Sequence, residues 1–581
     1  MANLMDIRVE RNIPVEMRDG TVLRADVFRP EPEGRYPVLL TRTPYNKSMS
    51  ALAYGWLQPI RPASEGYVVV VQDVRGRFES EGRFNPFHQE LDDGFDTVEW
   101  AARQVWSNGR VGMYGISYLG ATQWLAAAAQ PPNLQAIFPG LTGSDFYDGW
   151  TYQGGAFELG FNLTWTAALL ALPEVTRLGL GPAELQASLA ALQGAVFNHW
   201  PALRHLPIRD VPAFAADVVA PYYREWLDHP TRDDYWQPIT IEAAHPRIHT
   251  PAYNLGGWFD LFIRGTLRNF SGMRANGPTD VARDGQKLLV GPWFHGATLT
   301  ASAGQSIFGV GAQVLLDDLH LRWFDHWLKD IDNGVEREPP VRVFTMGINQ
   351  WQEFSAWPPA EAAPTAYYLH SNGAAATAAG DGALSEDPPR AERPDHFVYD
   401  PLNPCPTVGG PLFPYPLDVP PGQFDQRAVE ARPDVLCYTT PPLERDLEVT
   451  GPVTVRLWAT STAPDTDFTA KLVDVAPDGA ALNLCDGIAR ARYHHGFERV
   501  TLLSPGTPVE LEVDLAGTSN VFLRGHRIRL EVSSSNFPRF DRNTNTGGTI
   551  AGESAVRVAM NAILHDAQHP SHVLLPVVAR P

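Results

Sequence analysis

Val111-Gly112-Met113-Tyr114-Gly115-Ile116-Ser117-Tyr118-Leu119-Gly120 is the stretch on which the reading of this chain turns. Val111 to Tyr114 is a short apolar run of strand type. Ala121 to Ala129 is strongly helix-favouring and stops before Pro131-Pro132. Strand, tight turn and helix in that order hold a serine at the apex of the turn. The turn favours a residue without Cβ at Gly115. Ser117 then stands at the edge of a sheet, with a helix N-terminus beside any negative charge that develops there. The pattern departs from Gly-x-Ser-x-Gly: Leu119 stands where the second glycine is expected, and Gly120 follows it. Gly-x-Ser alone is a weak signal, common in ordinary loops, and its flanks give it weight.

A serine hydroxyl needs a base, and the base needs an orienting partner. In α/β-hydrolases these follow in the order Ser, Asp or Glu, His. Two downstream stretches supply them. Gly256-Gly257-Trp258-Phe259-Asp260 follows a predicted strand at 251–255, and Gly291-Pro292-Trp293-Phe294-His295-Gly296 follows one at 287–290. Open α/β sheets place their sites at the C-terminal ends of strands. A single Asp or His is usually a cap or a turn residue. The two together, at matched strand ends and in the right order, are far more specific. The Tyr118 amide is one candidate oxyanion donor. No His-Gly-Gly-Gly stretch supplies a second. Tyr45, in the loop after a predicted strand at 36–40, reads equally as a donor or as a structural tyrosine.

The rest of the chain fits around this centre. With 581 residues, three or four structural units are expected. The first ~140 residues alternate short aliphatic strands (36–40, 67–71) with helices, as a buried parallel sheet requires. From about 145 to 241 prolines break a helical stretch, a plausible cap, with one long helix that starts at Gly181-Pro182-Ala183-Glu184 and repeats its apolar residues to Val196. The α/β pattern resumes at 251 and closes with a helix at 319–329. Beyond about 353, period-two strands such as 453–459 and 527–532, separated by Pro and Gly, indicate a β-sandwich or jelly roll. The expected units are a core at 1–144 and 242–352, a cap at 145–241 and a jelly roll at 353–581.

Lys and Arg number 46 against 66 Asp and Glu, a net charge of −20. Such a chain repels phosphate backbones, so nucleic acid is excluded as a partner. No apolar run approaches the length of a membrane span, and the N-terminus lacks a basic segment followed by an apolar one. Cys405, Cys437 and Cys485 fit no zinc spacing and are odd in number, as expected of buried thiols in a reducing cytoplasm. No metal or cofactor motif is visible.

These motifs together resemble the bacterial cocaine esterase family, related to X-prolyl dipeptidyl peptidases and α-amino acid ester hydrolases. The likeness runs through nearly the whole chain. It rests on residues 15–20, on Arg42-Thr43-Pro44-Tyr45, on Gln72-Asp73-Val74-Arg75-Gly76-Arg77 and on residues 106–118. It continues through Gly257-Trp258-Phe259-Asp260, residues 291–295 and residues 525–534. In that family the serine turn reads Gly-x-Ser-Tyr-x-Gly, so the displaced glycine becomes support. The resemblance implies an α/β-hydrolase core, a helical cap and a C-terminal jelly roll. It implies Ser117 as nucleophile, His295 as general base, Asp260 as its orienter, and Tyr45 with the Tyr118 amide as oxyanion donors. Asp73 and Arg75 are expected to brace the core.

Within the resemblance, enzymes for α-amino acyl groups pair the substrate ammonium with carboxylates that follow the catalytic Asp. Here those places read Leu261-Phe262-Ile263, and Asp148 in the cap is at most one remaining acid for that role. An unpaired ammonium among such side chains is costly. The expectation is therefore a serine carboxylesterase for small neutral, short or aromatic acyl esters. Trp150, Trp165, Leu169, Phe262, Leu412 and Phe413 match the family's acyl pocket, whereas residues 48–56 match poorly. An X-prolyl peptidase or amino acid ester hydrolase, using Asp148 or a cap glutamate, is the alternative. A non-catalytic carbohydrate- or partner-binding protein is the second. The short segment before the first strand, without the long arm of the amino acid ester hydrolases, points to a monomer or small homo-oligomer.

Overall fold

The computed structural model describes residues 5–31, 33–49, 57–296, 298, 300–414 and 418–579. A ten-stranded mixed sheet organises the first half. Its strands are β1 (Ile7–Glu16), β2 (Val22–Pro30), β3 (Tyr36–Thr43), β4 (Val68–Asp73), β5 (Ser107–Ile116), β6 (Leu134–Gly140), β7 (Tyr253–Phe259), β8 (Lys287–Phe294), β9 (Val341–Thr345) and β10 (Gln350–Phe354). They lie side by side in the order 1-2-4-3-5-6-7-8-9-10. Strands β4, β3, β5, β6, β7, β8 and β9 run parallel, and antiparallel strands flank them.

Parallel strands buried on both faces need apolar side chains in both directions. Val68, Val69, Val70 and Val71 supply them and are fully buried. Helices α1 (Glu90–Ala102) and α2 (Tyr118–Ala128) cover one face, and α6 (Leu316–Lys329), reached after α3 to α5 below, covers the other. Every residue of α2 is buried. Its alanines and glycine make that possible: a Cβ on Gly94 of α1 would lie 2.8 Å from Ala126 Cβ of α2. The two helices therefore touch almost backbone to backbone.

Between β6 and β7 the chain forms α3 (Leu159–Trp165), a wide π-type turn over Thr166–Ala171, α4 (Pro182–Phe197) and a series of short helices. Pro182 opens α4 in its first turn, where its missing N–H costs nothing. This segment shares one continuous apolar cluster with α1, α2 and one face of the sheet. After β7 comes α5 (Ile263–Asn276).

Beyond β10 the described residues are mainly β, with a short helix at Arg427–Glu430. Fourteen strands form one branched sheet system, from Asp395–Tyr399 at one end to Ala481–Arg490 at the other. Its interior and the far part of the first sheet share a second apolar cluster. Residues 152–160 dock directly on it. Gly154 accepts from the Arg490 amide, and a Cβ on Gly154 would sit 1.8 Å from Ile488 O. The Phe157 amide donates to Asp541, whose own amide donates back to Phe157 O. Among the described residues no helix is long and apolar enough to cross a membrane. Cys405, Cys437 and Cys485 are buried free thiols.

Two local expectations need correction. The Gly-rich stretches 256–259 and 291–294 read as loops after strands ending at 255 and 290, but β7 and β8 run on to Phe259 and Phe294. The glycines answer to packing. A Cβ on Gly257 would lie 2.4 Å from Trp293 O, and one on Gly291 2.4 Å from the Trp293 ring. Asp260 and His295 are therefore the first residues past their strands. Residues 50–56, in the poorly matched segment 48–56, lie outside the described residues.

Candidate active site

Ser117 joins β5 to α2 with φ 59° and ψ −126°, a conformation disfavoured for any residue with a side chain. Such a turn costs about 1–3 kcal/mol and persists only where its surroundings enforce it. Here Ser117 N donates to Gly140 O of β6 at 2.9 Å, and the Ser117 carbonyl accepts from Gly120 and Ala121 of α2. Gly115 has φ 137°, and a Cβ on it would lie 2.5 Å from Leu119 Cβ. A Cβ on Gly120 would lie 2.9 Å from Gly140 O. The displaced glycine thus sits where the helix meets the end of β6, and Leu119 fits because Gly115 leaves it room.

His295 Nδ1 and Asp260 Oδ1 are 2.7 Å apart. Asp260 is fully buried, and burial pushes its carboxyl up, opposed by His295 and by the Phe262 and Leu261 amides. A carboxylate on Nδ1 fixes the tautomer that leaves Nε2 able to accept a proton. The Tyr45 hydroxyl lies close to the Ser117 side chain, and burial pushes its phenol up to about 12. It stays protonated at neutral pH. Trp165 Nε1 donates to the Tyr45 oxygen at 2.9 Å, so the Tyr45 proton is left for another acceptor.

The Tyr118 hydroxyl is committed elsewhere. It donates to Glu90 at 2.9 Å and accepts from the Phe87 amide, and Glu90 pairs with buried Arg42. Lys47, two residues beyond Tyr45, ties its loop to Asp73 through both Nζ (3.0 Å) and its amide (2.7 Å). Arg75 bridges Asp93 and Asp19.

The aromatic side chains matched to the acyl pocket converge. Trp150 stacks on Phe262 at 4.0 Å and meets Trp165 edge-on at 5.7 Å. Phe262 and Phe413 approach the His295 ring at 5.3 and 5.5 Å. Leu169 is half-buried in the π-type turn. Leu412 and Phe413, from the mainly β half, line a cleft of about 20 Å³ with Phe161, Leu261 and Glu158. Phe161 was not singled out from sequence, yet it stacks on Trp165 at 5.2 Å and meets Phe413. Its spacing of four residues from Trp165 puts both on one helix face, which was the available signal.

Two acids in this region are matched by cations. Asp148 faces Arg264 at 3.3 Å and Arg268 at 3.2 Å, and accepts from Gly154 N. Burial alone would push its carboxyl up, but Arg264 and then Arg268 outweigh it and bring it to about 2. Glu158 lies 3.4 Å from Arg539, and burial pushes it up to about 7 despite that neighbour. Asp148→Asn is expected to lose about 3 kcal/mol at pH 7, the low end for breaking a buried pair, because Asp514 still faces both guanidiniums. Asp148 stabilises fully above the unfolded carboxyl value of about 4. That contribution falls away as pH drops from there toward 2. Urea unfolding at pH 7 and pH 3 checks it: the gap between variant and parent narrows at pH 3.

Residues 19–297 match the X-Pro dipeptidyl-peptidase (S15 family) model, and residues 333–574 match the X-Pro dipeptidyl-peptidase C-terminal non-catalytic domain. The chain is a serine hydrolase, a carboxylic ester hydrolase by class. The cocaine esterase of Rhodococcus sp. (strain MB1 Bresler) is 40% identical over 582 aligned residues, covering 98% of this chain and 99% of that protein. The chain belongs to that cocaine esterase family, within the S15 hydrolases. Among solved structures, an α-amino acid ester hydrolase superimposes with a TM-score of 0.79 at 26% identity, covering 99% of this chain and 97% of that one. An aminopeptidase from the marine sediment archaeon Thaumarchaeota archaeon gives 0.79 at 25%, covering 100% and 97%.

Proposed function

We propose that this hydrolase cleaves esters of small neutral acyl groups, short or aromatic, through an acyl-enzyme. Ser117 attacks the ester carbonyl while His295 takes its proton, and Asp260 holds the imidazole and stabilises its charged form. Tyr45 and the Tyr118 amide donate to the tetrahedral oxyanion. His295 returns the proton to the leaving alcohol, then activates the water that releases the acid. In this reading the chain comprises an α/β-hydrolase core at 1–144 and 242–352, a helical cap at 145–241 and a jelly roll at 353–581. It acts in the cytoplasm as a monomer or small homo-oligomer, in keeping with three free thiols.

The observation that carries the neutral-acyl reading is the state of Asp148. Two arginines already hold it, and Leu261, Phe262 and Ile263 follow Asp260. No free carboxylate among these residues is left to pair an ammonium, while the rings around Trp150 suit an apolar acyl group. Cocaine, the compound after which the Rhodococcus relative is called, is a benzoyl ester and falls within this class. One observation favours the peptidase alternative: Glu158, beside Phe413 and Phe161, is held only by the long contact to Arg539.

A substrate panel separates the two. Purified enzyme is expected to show kcat/KM for 4-nitrophenyl acetate, butyrate and benzoate at least about tenfold above Ala-Pro 4-nitroanilide and a phenylglycine ester, the low end of what a pocket mismatch costs. The reverse order would hand the site to free-amine substrates, and Glu158→Gln would then selectively raise their KM.

A further inference from the structure

Arg77 is among the most deeply buried cations in the chain, at 3% exposed. No carboxylate among the described residues lies within ion-pair reach of it. The nearby Glu174 is instead paired with Arg177 at 3.1 Å. Arg77 turns its guanidinium to main-chain carbonyls. Nε donates to Pro44 O at 2.9 Å, Nη1 to Leu170 O at 2.8 Å and Nη2 to Leu169 O at 3.3 Å. The guanidinium lies 5.1 Å from the centres of both the Phe78 and Phe84 rings. Burial lowers its pKa, but an arginine starts so high that it keeps its charge at neutral pH.

The three carbonyls are not a random set. Pro44 immediately precedes Tyr45. Leu169 and Leu170 lie in the π-type turn that continues α3, whose last residue, Trp165, donates to the Tyr45 oxygen. Wide turns of that kind inside a helix commonly mark functional positions. One planar fork thus spans the loop that carries the phenol and the helix that aims it.

We infer that Arg77 is a positioning residue for Tyr45, clamping the loop at Pro44 to the turn at Leu169–Leu170 so that the phenol meets the oxyanion in line. The inference rests on the assignment of Tyr45 as oxyanion donor. A planar guanidinium can serve three carbonyls at fixed angles, and an ammonium cannot reproduce that geometry. Its charge also favours the ionised form of the Tyr45 hydroxyl, which makes that phenol a stronger donor. A displacement of about 1 Å at a donor costs roughly 10²-fold in rate.

A cleft of about 200 Å³ lined by Arg77, Leu170, Glu174 and Tyr222 gives the test an entry. Exposed Arg83 and Val218 form part of its wall, so solvent reaches it. Arg77→Ala, Arg77→Lys, Tyr45→Phe and the two double variants are assayed on 4-nitrophenyl acetate, with and without guanidinium at non-denaturing millimolar concentration and with NaCl as control. Arg77→Ala is expected to lower kcat by about 10- to 10²-fold with KM nearly unchanged. Guanidinium, and not NaCl, restores part of that loss. Neither Arg77 change costs more than about twofold in the Tyr45→Phe background, because the partner it positions is gone. Full activity in Arg77→Lys, or losses that multiply with Tyr45→Phe, would overturn the inference. If Arg77→Ala does not fold, the Arg77→Lys cycle decides by the same criterion. A Tyr45→Phe variant with parental kcat overturns the oxyanion assignment itself, and a loss in Arg77→Ala beside it would place the clamp's effect on the acyl-side helix.

Discussion

Ser117→Ala is expected to lose turnover by a factor on the order of 10⁶ while keeping the fold, and to lose labelling by a fluorophosphonate entirely. The geometry sets the size of the effect. Ser117 is held at φ 59° by Gly140 and by the first turn of α2, beside Tyr45. Alanine takes the same backbone at the same cost, so stability should move little. His295→Ala should fall to a similar floor. Nucleophile and base act as a unit, so the double variant should be scarcely worse than either single one. What remains is the contribution of binding and of the oxyanion donors. Labelling that survives in Ser117→Ala would move the nucleophile elsewhere, and losses that multiply in the double variant would separate the two residues into different roles.

Tyr45→Phe comes next, with an expected fall in kcat of roughly 10²–10³ and a smaller change in KM, the usual cost of one oxyanion donor. In the proposed role the phenol meets a charge that exists only in the transition state, so removing it should spare ground-state binding. Trp165 Nε1 already donates to the Tyr45 oxygen, which turns the phenol's own proton outward. The same bond predicts a side effect. Phenylalanine leaves the buried indole N–H without an acceptor, at about 1–3 kcal/mol of stability. Circular dichroism and a thermal melt distinguish this from collapse: the variant should be folded, slightly less stable and slow. A variant that does not fold would make Tyr45 a structural residue.

Much of this was legible from short stretches of chain. The strand, turn and helix around Ser117 are encoded within some twenty residues, because period, glycine position and helix propensity are local properties. The same holds for α4, expected to start at 181–184 and reach Val196, and found at Pro182–Phe197. The ends of β7 and β8 were misplaced because glycine reads as a breaker, whereas here it makes room for Trp293. For Gly257 that requirement comes from the neighbouring strand and leaves no trace in the local pattern, whereas for Gly291 it comes from the ring two residues along its own strand.

The chain by itself determined which chemistry is on offer: a serine at a strand-to-helix turn, then an aspartate and a histidine at two later strand ends, in that order. These follow from local backbone preferences and from the rule that parallel strands present their C-terminal ends together. Only the tertiary structure decided which partner each polar group takes. In Arg75-Gly76-Arg77 the two arginines look alike, but Gly76 at φ 69° turns the chain so that Arg75 reaches Asp93 and Asp19 while Arg77 reaches Pro44 and Leu170. Asp148 reads as a spare acid along the chain, yet Arg264 and Arg268, from a helix more than a hundred residues later, hold it. Burial and charge pairing depend on residues that only the folded chain brings within a few ångströms, and distance along the sequence carries no record of that.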